Sequence, residues 1–319
     1  MATDASRWPD LAMPSGESTA KLMQLWSQVV GKTRLALAPM TNHWWQVVLY
    51  VNARGLTTSP MPYGDRDFEV EFDLLDHKLV IRVSDGTSHA FPLASGSVAQ
   101  FYEQFFAALK ALGIEVRIHP RAVEIPEVIR LDRDETMRDY DPVWATRFFT
   151  ALSSIDDVFK QFRAGFVGKA SPVHFFWGSF DLAVTRFSGR TAPLHRGGVP
   201  NCPDYVSHEA YSHEVSSAGF WPGGGGAPPA FYSYAYPEPE GFAQAKVKPA
   251  GAFYDGTLRE FLLPYDEVRL SSTPADTLMR FLESTYEAAA DLGAWDRRAL
   301  ERKRSKLSTK EEGSHALRM

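Results

Sequence analysis

Residues 68–74 read FEVEFDL, and no other stretch of the chain limits its fold so tightly. Phe68, Val70, Phe72 and Leu74 fall on one side of an extended chain, and Glu69, Glu71 and Asp73 fall on the other. A period of two belongs to a strand, so the pattern demands an antiparallel sheet with one apolar and one wet face. Asp76-His77 turns the chain into HKLVIRV, and Asp85-Gly86 turns it again. Helices flank this sheet. KLMQLWSQVV (21–30) places Leu22, Leu25, Trp26 and Val29 at i, i+3, i+4 and i+7. VAQFYEQFFAALKAL (98–112) is a second helix, stopped by Gly113.

After a charged, proline-bearing connector at 119–141 the order starts over. RFFTALSSIDDVFKQFRAGF (147–166) reads as a helix and HFFWGSFDLAV (174–184) as one strand, matching the strand expected at HWWQVVLYV (43–51). HEVSSAGFW (213–221), AFYSYAY (230–236) and EFLLP (260–264) are further strands, and 275–292 is a helix closed by Gly293. Val-Gly-Lys occurs at 30–32 and 167–169, followed in each case by a histidine and two aromatics at His43 and His174. Phe101 and Glu103 stand as far from Leu112-Gly113 as Phe281 and Glu283 stand from Leu292-Gly293. These matches predict an α+β protein of two related halves, an internal duplication with an antiparallel sheet and flanking helices in each. The halves are 18–118 and 142–296, joined by 119–141, and a basic, disordered tail fills 297–319. The second half adds an insertion at 185–210 and a loop, WPGGGGAPP (221–229), that is either a lid or a plain connection.

Several motifs fail on spacing. Gly31-Lys32-Thr33 ends like a P-loop, but the first glycine of that motif would fall at Trp26; the second copy has Arg163 there and Ala170 in place of the hydroxyl residue. Because the Gly-Lys follows a helix, it reads as a C-terminal cap. His208-Glu209 and His213 are spaced by five, one too many for a zinc-protease pair on one helical face. Neither Ser179 nor Ser216 has the glycine neighbours of a nucleophile elbow. A net charge of −5 argues against nucleic acid as a partner, and no run is long enough for a membrane span. The single cysteine, Cys202, leaves no internal disulfide and suits a cytoplasmic protein.

What remains is a set of faces. On an uninterrupted strand His174 shares a side with Phe176, Phe180, Leu182 and Val184, leaving Asp181 on the other. His43 shares its side with Trp45, Val47 and Leu49. Histidines at matching repeat positions can meet near a pseudo-twofold axis, joined by His213 and Glu214 from the next strand. His174, His213 and Glu214 are then the candidate catalytic residues. Arg54, Arg186, Trp45 and Trp177 are the candidate substrate-binding residues, the arginines gripping an anionic group. His43, His174 and His213 are candidate ligands for zinc or ferrous iron. Alternatively the histidines are core residues bonded to backbone.

NHWWQVVLYVNARGLTT, SPVHFFWGSFDLAVTRFSGR and EAYSHEVSSAGFWPGGG resemble the signature stretches of an uncharacterised bacterial family of about 300 residues. It is frequent in actinobacteria and proteobacteria and known only as a domain of unknown function. The resemblance runs to about residue 300; it implies a bacterial source and carries no activity onto any residue. The expected function is an enzyme acting on a small polar or anionic molecule at the His/Glu pocket, with or without a metal. The alternative is a non-catalytic ligand-binding or structural protein.

Overall fold

The computed structural model describes residues 7–12 and 16–303; the remainder of the basic tail, including Arg304, Lys306 and Lys310, lies outside the described residues. Helix α1 (Gly16–Leu37) buries Leu22, Leu25, Trp26 and Val29 as its periodicity requires. The first sheet follows: β1 (Tyr50–Val51), β2 (Gly55–Thr57), β3 (Met61–Tyr63), β4 (Arg66–Asp73), β5 (Lys78–Val83) and β6 (Ser88–Pro92). Its order is β1-β2-β4-β5-β6, with β3 beside β4, and every pairing is antiparallel. The apolar side of β4 is buried as expected. The acids opposite are tied down: Glu71 takes Arg82, and Asp73 takes Arg54. Helix α2 (Val98–Ala111) opens with a capping box between Ser97 and Gln100 and ends before Gly113, which is left-handed at φ 72°.

Helix α3 (Pro142–Ala164) begins the second half, its first N–H groups capped by Asp141. The second sheet is β7 (His174–Phe176), β8 (Asp181–Thr191), β9 (His213–Trp221), β10 (Ala230–Tyr236), β11 (Phe253–Asp255) and β12 (Glu260–Pro264). Its strand order is β11-β12-β10-β9-β8-β7, again antiparallel. A short helix, α4 (Asp204–Ala210), lies between β8 and β9; α5 (Tyr265–Arg269), α6 (Pro274–Leu292) and a single turn, α7 (Arg297–Leu300), are the last helices of the described residues. The protein is thus α+β with two sheet-bearing halves. The sheets meet edge to edge, where Leu49 and Phe175 exchange backbone hydrogen bonds of 2.9 and 2.8 Å. One apolar core runs through both halves and takes in Ala122, Leu131 and Tyr140 from the 119–141 segment.

Four local expectations need correction. Only Tyr50 and Val51 of the stretch 43–51 form a strand; Asn42–Val47 is a 3-10 turn in which His43 (φ 59°) and Trp44 (φ 63°) are left-handed. Strand propensity loses there to side-chain bonds: Arg34 Nε donates to the Gln46 carbonyl, and the Gln46 side chain accepts from the Thr41 N–H. Gly31 caps nothing, because α1 runs past it to Leu37. It is instead the bare spot on which the Trp177 indole rests, 2.2 Å from where a Cβ would sit. In the second half α3 ends at Ala164 and Gly168 follows in a loop, so the two Val-Gly-Lys stretches are not equivalent positions. Finally, 174–184 is a hairpin. Residues 177–180 turn the chain, which puts Asp181 on the same face as His174.

Candidate functional site

The register of the second sheet sorts its side chains into two faces. Leu182, Phe220, Phe231 and Leu263 align across the strands on the face covered by α3 and α6. The other face carries Asp181, Ala183, Thr185 and Phe187 on β8, Ser217 and Gly219 on β9, Tyr232, Tyr234 and Tyr236 on β10, and Glu260 on β12. Over this second face lie the 42–47 turn, α4 and the segment around Glu124.

At one end of that face is an acidic recess. Tyr232 lies flat across Gly219, where a Cβ would fall 2.2 Å from its hydroxyl, and donates to Asp181 Oδ2. Ser179 Oγ donates to Asp181 Oδ1 at 2.7 Å and also bonds Glu124. A serine hydroxyl has one proton, so Ser179 donates to one carboxyl at a time, and its bond to Glu124 favours the ionised form. Burial, then the charge of Asp181, pushes the Glu124 carboxyl up to about 7, although solvent reaches the side chain. Glu260 is likewise pushed up to about 7, by burial and then by Asp181. Burial also raises Asp181, against the bonds from Tyr232 and Ser179. Beside them Tyr211 and Tyr234 share a hydroxyl contact of 2.9 Å, Tyr234 bonds Ser217, and Thr185 Oγ1 stands 2.8 Å from Ser217 Oγ.

Glu124 is held by its backbone. The Gln28 side chain, fully buried in α1, bonds both the N–H and the carbonyl of Val123 at 3.0 and 2.9 Å. The Glu124 N–H donates to the Pro200 carbonyl at 2.7 Å, and Asn201 Nδ2 donates to the Ile125 carbonyl at 2.6 Å. Glu124 itself is left-handed at φ 64°, and Phe180 and Arg259, the residues before Asp181 and Glu260, are left-handed too. Such backbone costs on the order of 1–2 kcal/mol per residue and persists only where surrounding contacts over-determine it.

The residues expected at the site from sequence part company. His43 and His213 come together, ring centroids 5.7 Å apart, with Trp45 beside His43. His174 does not join them: it is 1% exposed, ringed edge-on by Trp45, Tyr50 and Phe176, and neither ring nitrogen has a hydrogen-bond partner. Burial, then Arg34 and Arg163, drives its pKa down to about 3. Glu214 pairs with Arg190 at 2.6 Å instead of with a histidine. Arg54 is engaged by Asp73 and Asp76 at the first sheet. Arg186 points to the helix face, 3.4 Å over the Phe162 ring and against Tyr286, and burial lowers it to about 10. Trp177 donates to the Val47 carbonyl at 2.6 Å beneath α1. His43 offers no free nitrogen for a metal, since Nδ1 faces two carbonyls and Nε2 faces Lys169. Among the described residues no three of His, Cys, Asp and Glu are placed to share an ion, so His43, His174 and His213 do not fit zinc or ferrous iron.

Sequence reasoning missed Glu124, Tyr232, Tyr234 and Glu260. The tyrosines had a signal in the two-residue period of AFYSYAY; Glu124, in a proline-bearing connector, had none.

Fold and recess together define a class: a two-sheet α+β protein with a tyrosine-lined acidic recess on the face of its second sheet opposite α3 and α6. The chain belongs to the family of unknown function DUF5996, whose family model matches residues 8–302. No curated protein and no solved structure matches the chain. Among the described residues no helix is long and apolar enough to cross a membrane.

Proposed function

We propose that the protein is an enzyme using general acid–base chemistry on a small polar molecule in the recess of Glu124, Asp181 and Tyr232. The observation that carries this reading is the Glu124 carboxyl, on an exposed residue, raised to about 7 by burial and linked through Ser179 to Asp181. A carboxyl near neutrality exchanges a proton with substrate in either direction, which is what a general acid or base requires. Ser179 keeps its proton and turns its hydrogen bond from Asp181, held by Tyr232, to the Glu124 carboxylate when Glu124 has given its proton to substrate. Three carboxyls in one recess repel an anion, so the substrate group bound here is neutral or cationic and carries hydroxyls or amines.

The test is turnover of nitrophenyl glycosides and esters between pH 5 and 8.5. Expected is hydrolysis of at least one compound with an inflection near 7 that Glu124→Gln removes. Absence of turnover across both sets, or an unchanged profile in Glu124→Gln, counts against the reading. Binding of a polyol without turnover would instead assign a non-catalytic receptor.

A further inference from the structure

The opposite end of the same sheet face has the opposite charge. Lys169 pairs with β8 beside Phe187, whose N–H donates to the Lys169 carbonyl at 3.0 Å, so both side chains stand on the tyrosine face. Phe187 lies six positions along β8 from Asp181, about 20 Å at the rise of a strand.

Lys169 Nζ lies 4.8 Å over the Phe187 ring, 5.4 Å over Trp45 and 2.5 Å from His43 Nε2. His43 Nδ1 is 3.0 Å from the Ala210 carbonyl and 3.2 Å from that of Glu209. Only an N–H can face two carbonyl oxygens, so Nδ1 carries the proton and Nε2 accepts from the Lys169 ammonium. The pair therefore holds one positive charge with its donor aimed and its aromatic walls in place. No ion pair joins Lys169 to a carboxylate among the described residues; burial alone lowers it. The charges pressing on His43 are those of Lys169 and His213, and those pressing on His174 behind Trp45 are Arg34 and Arg163. His213 adds an imidazole edge, its Nδ1 3.0 Å from Ser212 Oγ. Two successive left-handed residues, His43 and Trp44, are spent on this placement.

We propose that Lys169, His43 and His213 form a binding site for an oxyanion, the phosphate or carboxylate group of a small molecule. Lys169 supplies the charge and its remaining N–H donors, His43 aims it, and His213 offers its second ring nitrogen. Neither ion would be drawn to the acidic recess, so this site stands independently of the proposed chemistry there.

The experiment is calorimetric titration of the whole protein with inorganic phosphate and with acetate at pH 7 and low ionic strength. Saturable binding is expected, weakened about tenfold or more in Lys169→Met, which keeps the apolar contact with Trp45 and Phe187, and several-fold in His213→Gln. Glu124→Gln should bind within about twofold of the native protein. Phosphate binding without acetate assigns a phosphate-type ligand, and the reverse assigns a carboxylate. In the unmodified protein, imidazole nitrogen resonances of His43 and His213 should shift with the bound anion, which tests the site even if a variant fails to fold. Absence of saturation by either anion, an unchanged Lys169→Met, or a comparable loss in Glu124→Gln would overturn the proposal.

Discussion

Gly178 and Glu124 occupy one another's space: a Cβ on Gly178 would lie 2.1 Å from Glu124 Oε1. The neighbour to be displaced is the end of a flexible side chain, whereas the backbone around Glu124 is fixed by Gln28, Pro200 and Asn201. Gly178→Ala should therefore cost under about 1 kcal/mol in urea unfolding while moving the carboxyl away from Ser179. The check is the Glu124 carboxyl titration by carbon NMR, which should fall from near 7 towards the ordinary glutamate value.

Glu124→Gln tests the same carboxyl through stability. Its pKa is raised in the fold, so the unfolded chain ionises first as pH rises through about 4.5, and native stability falls until the folded group ionises near 7. Glutamine carries no such penalty. The variant should gain on the native protein between pH 5 and pH 8, by on the order of 1 kcal/mol after discounting the full shift for solvent access. Denaturant unfolding at the two pH values measures it, and a constant difference would refute it.

His174 has the opposite sign. Its pKa is held down to about 3, so the imidazole stays neutral in the fold while the unfolded chain takes up a proton below about 6.5. Stability is present above that pH and drains away as the solution is acidified towards 3. His174→Phe, filling the same ring of aromatics, should be no less stable than the native protein at pH 7. By pH 4.5 its advantage should have grown by about 2–3 kcal/mol. Parallel urea curves at both pH values decide the matter.

Gly31→Ala sets two effects against each other. In a helix interior alanine is favoured over glycine by about 1 kcal/mol. Here its methyl would meet the Trp177 indole 2.2 Å away, and that ring is fixed by its bond to the Val47 carbonyl. Overpacking should win, for a net loss of about 1–3 kcal/mol in thermal or urea unfolding. A net gain would mean the indole moves freely.

The legible parts of the chain were those whose pattern is local. FEVEFDL, AFYSYAY and HEVSSAGFW became β4, β10 and β9, and the periodic apolar runs became α1, α2, α3 and α6. The same local reading made one strand of 174–184, and missing the turn at 177–180 put Asp181 on the wrong face. It made a strand of HWWQVV, where bonds of Arg34 to the Gln46 carbonyl and of Thr41 to the Gln46 side chain, both from outside the stretch, impose a 3-10 turn.

Sequence by itself determined the class of fold, the two sheet-bearing halves and the family, because side-chain periodicity and turn residues act over a few neighbouring positions. The site was decided only by tertiary structure. Glu124 meets Ser179 and Asp181 through the bonds of Gln28 to Val123 and of Asn201 to Ile125, and Lys169 meets His43 across 126 residues. Their altered proton affinities come from burial and from one another's charge, quantities that do not exist until the chain has closed around them.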